Sequence, residues 1–163
     1  MVIWKSLYPT GIFWTEYPPI AIEAKSLGKE IGSFKYSDYG LDLYSSGLIV
    51  HDDMVREKPD LVARFVKATY EGISWALKNP EKAFEMYMKR NADQDKDKAW
   101  GEWQTAIDIF GDVPKRAHTP LQLGWMNPEK VKKTVDVIAD LYKLESPVKP
   151  DDIYTNKFVE PLR

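Results

Sequence analysis

At His51 the chain changes character, and that change limits what it can fold into more than any other feature. Upstream, Pro9, Gly11, Pro18, Pro19, Gly28, Gly32, Gly40 and Gly47 cut the chain into short pieces. The apolar runs at residues 11–14 and 31–34 predict strands between turns. Residues 41–51, apolar at Leu43, Leu48, Ile49 and Val50, predict a further, buried strand. Between them, residues 19–27 read as a short helix with proline in its first turn and Gly28 as its stop.

Downstream the periodicity is helical. Asp52 and Asp53 precede Met54 as capping residues, with His51 at the helix start. Pro59 and Asp60 open a longer helix to about Lys78. Its apolar arc is wide: Leu61, Phe65, Thr69, Gly72 and Ala76 form one stripe, with Val62, Val66, Ile73 and Leu77 beside it. Such an arc predicts burial in a core. Asn79-Pro80 ends that helix, and residues 81–89 predict another with Ala83, Phe84, Tyr87 and Met88 inward. A polar linker at 91–98 precedes a helix over 98–110, then an irregular region over 111–124. Asn127-Pro128-Glu129 is a strong helix start, combining a cap residue, proline at the first turn and an acid near the positive end of the dipole. That helix is expected to reach about Leu144, with Val131, Val135, Ile138 and Leu141 on one face. Strands followed by helices predict an α/β or α+β chain, helix-rich after residue 51.

Composition narrows the function. Basic and acidic residues nearly balance, 23 against 25, so there is no basic footprint for nucleic acid. The absence of cysteine excludes disulfides, thiol nucleophiles and thiolate metal sites. His51 and His118 stand far apart in unlike contexts, which argues against a metal or acid–base pair. The carboxylate doublets Asp52-Asp53 and Asp151-Asp152 read as caps, and no phosphate-binding, nucleophile-elbow or zinc-protease motif is present. No catalytic residue, metal or cofactor is expected. Met1-Val2-Ile3-Trp4-Lys5 does not open an export signal.

Aromatic residues are the unusual component, at 13% with six tryptophans. Trp4, Tyr8, Phe13, Trp14, Tyr17, Phe34, Tyr36, Tyr39 and Tyr44 crowd the first stretch. Within Gly11-Ile12-Phe13-Trp14-Thr15-Glu16-Tyr17, two rings flank a carboxylate. Rings offer stacking area, and the carboxylate of Glu16 offers acceptors for a cationic or N–H-bearing ligand. Packing of Trp14 and Tyr17 in a core, with Glu16 solvated, is the equal alternative. Tyr44-Ser45-Ser46-Gly47 adds hydroxyl groups and a point of close backbone approach.

Three stretches resemble one family. They are Phe13-Trp14-Thr15-Glu16-Tyr17-Pro18-Pro19-Ile20-Ala21; residues 36–50 with Lys58-Pro59-Asp60 and Asn79-Pro80-Glu81-Lys82-Ala83; and Leu123-Gly124-Trp125-Met126-Asn127-Pro128-Glu129-Lys130 with Tyr154-Thr155-Asn156-Lys157-Phe158. Their order is similar to the C-terminal part of ABC-importer solute-binding proteins of the nitrate, sulfonate/taurine and thiamine-pyrimidine-precursor type (NMT1/THI5-like).

The resemblance implies an α/β, two-lobed periplasmic-binding-protein-like fold of type II. Residues 1–35 would end the second lobe, 36–50 would cross over as the hinge, and 51–163 would be the helical remainder of the first lobe. Trp14, Glu16 and Tyr17 would face the cleft, with Tyr44 near the hinge. The implied partners are a small ligand (pyrimidine, sulfonate or nitrate) and an ABC permease, with a periplasmic or membrane-anchored extracellular location for the full-length protein. The family's N-terminal half has no counterpart in the chain, so a fragment, a split gene product or a half that dimerises is expected. Self-association would use the apolar surface where the absent lobe packs. A thiamine-pyrimidine synthase or a cytoplasmic sensor on the same fold is the alternative; the synthase branch carries a cysteine-rich motif, and this chain has no cysteine.

Overall fold

The computed structural model describes residues 12–116 and 124–159, with the side chains of Trp14 and 111–116 left out. Its elements are α1 (Phe13–Ser26), α2 (Asp52–Glu57), α3 (Pro59–Lys78), α4 (Pro80–Arg90), α5 (Lys96–Arg116) and α6 (Pro128–Tyr142). Short 3-10 turns occur at Tyr36–Tyr39 and Pro150–Asp152. No strand is present among the described residues, which are helix-rich and do not display the sheet of the expected α/β architecture.

The chain gathers into two compact units, each assembled from separate stretches. One holds the residues up to Lys35 with Asn79–Asp112; the other holds Tyr36–Lys78 with the residues from Val113 onward. In the first, Phe84 of α4 is 4% exposed, and Ala83 and Ala99 are buried beside it. In the second, Val62 of α3 and Val131 and Val135 of α6 are the buried residues.

Three local expectations are corrected. Residues 13 and 14 begin α1 and do not end a strand. Phe13 and Tyr17, one helical turn apart, stack with centroids 4.9 Å apart and planes 13° from parallel. That pairing supports helix six residues ahead of Pro19. Pro18 and Pro19 therefore lie inside α1, where they supply no N–H to the carbonyls one turn earlier. Residues 31–34 and 41–50 run without regular structure: Ile49 is 98% exposed, and among the described residues no backbone forms a ladder with either segment. An extended run that finds no partner stays unpaired. Finally, α5 continues past Phe110 to Arg116, through part of the region expected to be irregular; His118 and Leu123 lie outside the described residues.

The helix ends follow their chemistry. After α1, the Gly28 N–H donates to Lys25 C=O (3.0 Å) and the Lys29 N–H to Ala24 C=O (2.9 Å), with Gly28 at φ +67°. This is the double hydrogen bond of a Schellman stop. The cap of α2 is His51 and not the aspartates: its Nδ1 accepts from the Asp53 N–H at 3.2 Å, while Asp53 pairs with Arg56. Asn127 caps α6 as expected, its Oδ1 accepting from Glu129 N–H (2.9 Å) and Lys130 N–H (3.3 Å). Asp151 and Asp152 sit within a 3-10 turn.

Candidate functional site

In the first unit, α1, α4 and α5 enclose an open cleft of about 520 Å³. α1 comes close to α5 at Gly101, where an added Cβ would stand at van der Waals contact, 3.4 Å from Pro18 Cβ and 3.6 Å from Ile22 Cδ1. There α1 lies against α5, and Tyr17, Pro18 and Ile22 form one wall. The facing wall comes from α5, which presents Trp100, Trp103, Gln104, Ile107 and Asp108 at helical spacing. Pro80 and Glu81, at the start of α4, close the cleft.

The rings of α5 are held from behind. Trp100 meets Phe84 edge-on at 4.8 Å, and Trp103 lies 6.2 Å from Phe84 and 6.3 Å from Tyr87. The Trp103 Nε1–H donates to Pro80 C=O at 3.0 Å, which fixes that indole in the plane of the α4 start. The Tyr87 hydroxyl donates to Gln94 Oε1 at 2.7 Å. Phe84 is thus the common floor under both indoles. A smaller hollow of about 290 Å³ shares Glu81 and Trp100 and is bounded further by Phe84, Glu85, Lys96 and Asp97.

The chemistry of the larger cleft is one-sided. Among the described residues its rings are Tyr17, Trp100 and Trp103, its ionisable acids are Glu81 and Asp108, and no lysine, arginine or histidine lines it. Aromatic faces and carboxylates both favour cations and N–H donors, and both disfavour anions. No group of three metal-ligating side chains forms among the described residues, and none of their helices is long and apolar enough to cross a membrane.

The sequence-predicted residues fall in different places. Tyr17 lines the cleft. Glu16, its neighbour on α1, is exposed in the first turn of the helix. The backbone of Trp14 is part of α1, but its side chain lies outside the described residues. Tyr44 belongs to the second unit, where it is built into a local network. Its hydroxyl accepts from Asn127 N–H at 2.8 Å, its own N–H donates to Thr134 Oγ1 at 3.1 Å, and Lys130 Nζ stands 4.9 Å above its ring. Lys130 also pairs with Asp42 at 2.6 Å. Tyr44 therefore anchors residues 42–44 to the first turns of α6. Trp100, Trp103, Glu81 and Asp108 were not singled out from sequence. The available signal was the stripe of rings, amide and acid along α5.

A family model described as NMT1/THI5 like matches residues 12–83. The riboflavin-binding protein RibY of Chloroflexus aurantiacus is 21% identical over 151 residues, covering 93% of this chain and 42% of that protein. The chain spans less than half the length of this curated relative. Both comparisons support the resemblance drawn from the residues, and the relative is named for binding and not for catalysis.

Proposed function

From the premise that this chain is NMT1/THI5-like, we propose that it supplies the ligand-contacting part of a solute-binding protein, with the cleft of α1, α4 and α5 as its site. The ligand is a flat, nitrogen-bearing heterocycle, neutral or cationic. It stacks on Trp100 and Tyr17 and donates N–H groups to Glu81 and Asp108. Trp14 and Glu16, on the same helix as Tyr17, contribute a further ring and acceptor, and Tyr44 braces residues 42–44 in the second unit. The whole protein delivers the ligand to an ABC permease from the periplasm or the outer membrane face. One observation carries the choice of ligand: among the described residues, two carboxylates and three rings line the cleft and no basic residue does. Of the pyrimidine, sulfonate and nitrate classes, only the first matches that lining, and a relative named for riboflavin, itself a flat heteroaromatic, points the same way.

Tryptophan fluorescence tests the reading. Titration with riboflavin and with an aminopyrimidine should quench Trp100 and Trp103, whereas taurine and nitrate should leave the signal unchanged. Asp108→Asn and Glu81→Gln, both at exposed positions, should each weaken the heterocycle about tenfold without altering the thermal transition. Binding of nitrate or taurine with no response to either heterocycle would overturn the assignment.

A further inference from the structure

Among the described residues of the second unit, one side of the apolar arc of α3 stays exposed. Along α3, Val62 is buried and Val66, Ile73, Ala76 and Leu77 are half-buried, so that row faces the interior of its unit. The adjacent stripe does not. Leu61 is 44% exposed and Phe65 62%, with Ala68 and Gly72 exposed beyond them. A Cβ added at Gly72 would meet nothing within 4 Å. These residues follow one another at alternating steps of four and three, the spacing that keeps a seam on one side of a helix facing a partner helix.

We propose that this stripe pairs with the same stripe of a second copy of the chain, the two α3 helices running antiparallel about a two-fold axis. The side-chain sizes select that arrangement. In the register centred between Phe65 and Ala68, the Phe65 of each copy packs on the small Ala68 of the other, and each Leu61 lies over the other's Gly72. Large residues meet small ones at each level, as an isologous interface requires. A parallel pairing instead sets Phe65 against Phe65 and Gly72 against Gly72, a clash above a void.

Charge agrees with size. Arg64 and Glu71 flank the stripe on one side, both exposed, and neither forms an ion pair with another described residue. The same register places Arg64 of each copy beside Glu71 of the other, giving two symmetry-related pairs. A single pair of twenty-residue helices buries less than a standard interface, so the dimer is weak, with a dissociation constant on the order of 10⁻⁵ M.

The chain contains no cysteine, so engineered thiols report on the register without background. Under oxidation, an equimolar mixture of Arg64→Cys and Glu71→Cys proteins should form the mixed disulfide dimer, while either protein alone should not cross-link. By sedimentation equilibrium, Phe65→Glu should weaken association at least tenfold with an unchanged thermal transition. Arg64→Glu should weaken it and Arg64→Glu with Glu71→Arg should restore it. A chain that stays monomeric at millimolar concentration leaves the stripe to another polypeptide and overturns the proposal. So does cross-linking of Arg64→Cys to itself, or a double charge reversal that fails to rescue.

Discussion

Asn156 grips Met126 by both of its backbone groups: the side-chain oxygen accepts the Met126 N–H at 2.9 Å and the amide nitrogen donates to the Met126 C=O at 2.8 Å. One side chain thereby pairs with a residue thirty positions away as a neighbouring strand would. The two segments that recur together in the family resemblance, around Gly124-Trp125-Met126-Asn127-Pro128 and Tyr154-Thr155-Asn156, are joined by this grip. Asn156→Ala should cost about 1–3 kcal/mol, since both Met126 groups are part-buried and lose their partner together. Asn156→Asp keeps an acceptor for the N–H but has no donor for the C=O, and should fall between. Urea unfolding of the three proteins measures the order.

Among the left-handed positions of the same unit, two respond oppositely to exchange. Lys143 ends α6 at φ +49°, where the Leu144 N–H reaches Ala139 C=O at 3.1 Å. Glycine adopts that conformation without the side-chain penalty, so Lys143→Gly should stabilise the chain by about 1 kcal/mol. Gly124 has φ +84°, and a Cβ there would run into the Tyr70 ring. Gly124→Ala should destabilise by about 2 kcal/mol or more. Thermal melts of both variants against the parent check the signs.

Acid should loosen the start of α5. The Asp95 carboxylate is held below its ordinary range, chiefly by the Lys98 N–H, with the Asp97 N–H and the Lys98 charge adding to the effect. Both N–H groups reach Oδ1 at 3.0 Å. A depressed folded value means that the contribution is complete above the ordinary aspartate pKa and is lost as pH falls through the lower, folded one. Asp95→Asn should be less stable than the parent at neutral pH, and that deficit should shrink as pH falls below the ordinary aspartate range. Tyr70 works at the other extreme. Burial raises its phenol above the usual value, so its contribution is full below that value and is lost as pH rises through the raised one. Tyr70→Phe should remove that alkaline dependence, followed by circular dichroism.

How far the residues could be read in advance depends on where each signal comes from. Caps and stops are local chemistry, and Asn127, Gly28 and the Asn79-Pro80 break act where they stand in the chain. The rows Ala83–Phe84 and Val131–Val135 are inward because their apolar periodicity has one solution. The arc of α3 had two, since its width said how much apolar surface existed but not how much a neighbour would cover. The stripe led by Leu61 and Phe65 stays exposed while Val62 goes in; on α6, likewise, Leu141 is 69% exposed beside the buried Val135. Residues 31–34 and 41–50 carry strand-like composition, but a strand exists only with a partner, which composition does not supply. At the site, Tyr17 was legible from its ring-and-acid context. Trp100 and Trp103 were not, because a tryptophan on a helical stripe reads as core until the helix against it is known, and here α1 meets α5 at Gly101 and leaves both indoles lining a cleft.

Phe84 decides whether the cleft keeps its form. At 4% exposure it touches Trp100, Trp103 and Tyr87, so removing its ring opens a cavity beneath both indoles. Phe84→Ala should cost about 3–5 kcal/mol and lower the melting temperature accordingly. Phe84→Leu fills most of the space but offers no edge to Trp100, and should cost less than half as much. The discriminating measurement is tryptophan emission at a temperature where all three proteins remain folded. Phe84→Leu should shift the emission to the red as the indoles gain freedom and water, and should weaken stacking ligands even though Phe84 does not line the larger cleft. Trp103→Phe, which keeps a ring but forfeits the donation to Pro80, should lose about 1 kcal/mol and reproduce the weakened binding. Unchanged emission and unchanged binding in both variants would mean that the floor of Phe84 and the bond to Pro80 do not position the indoles.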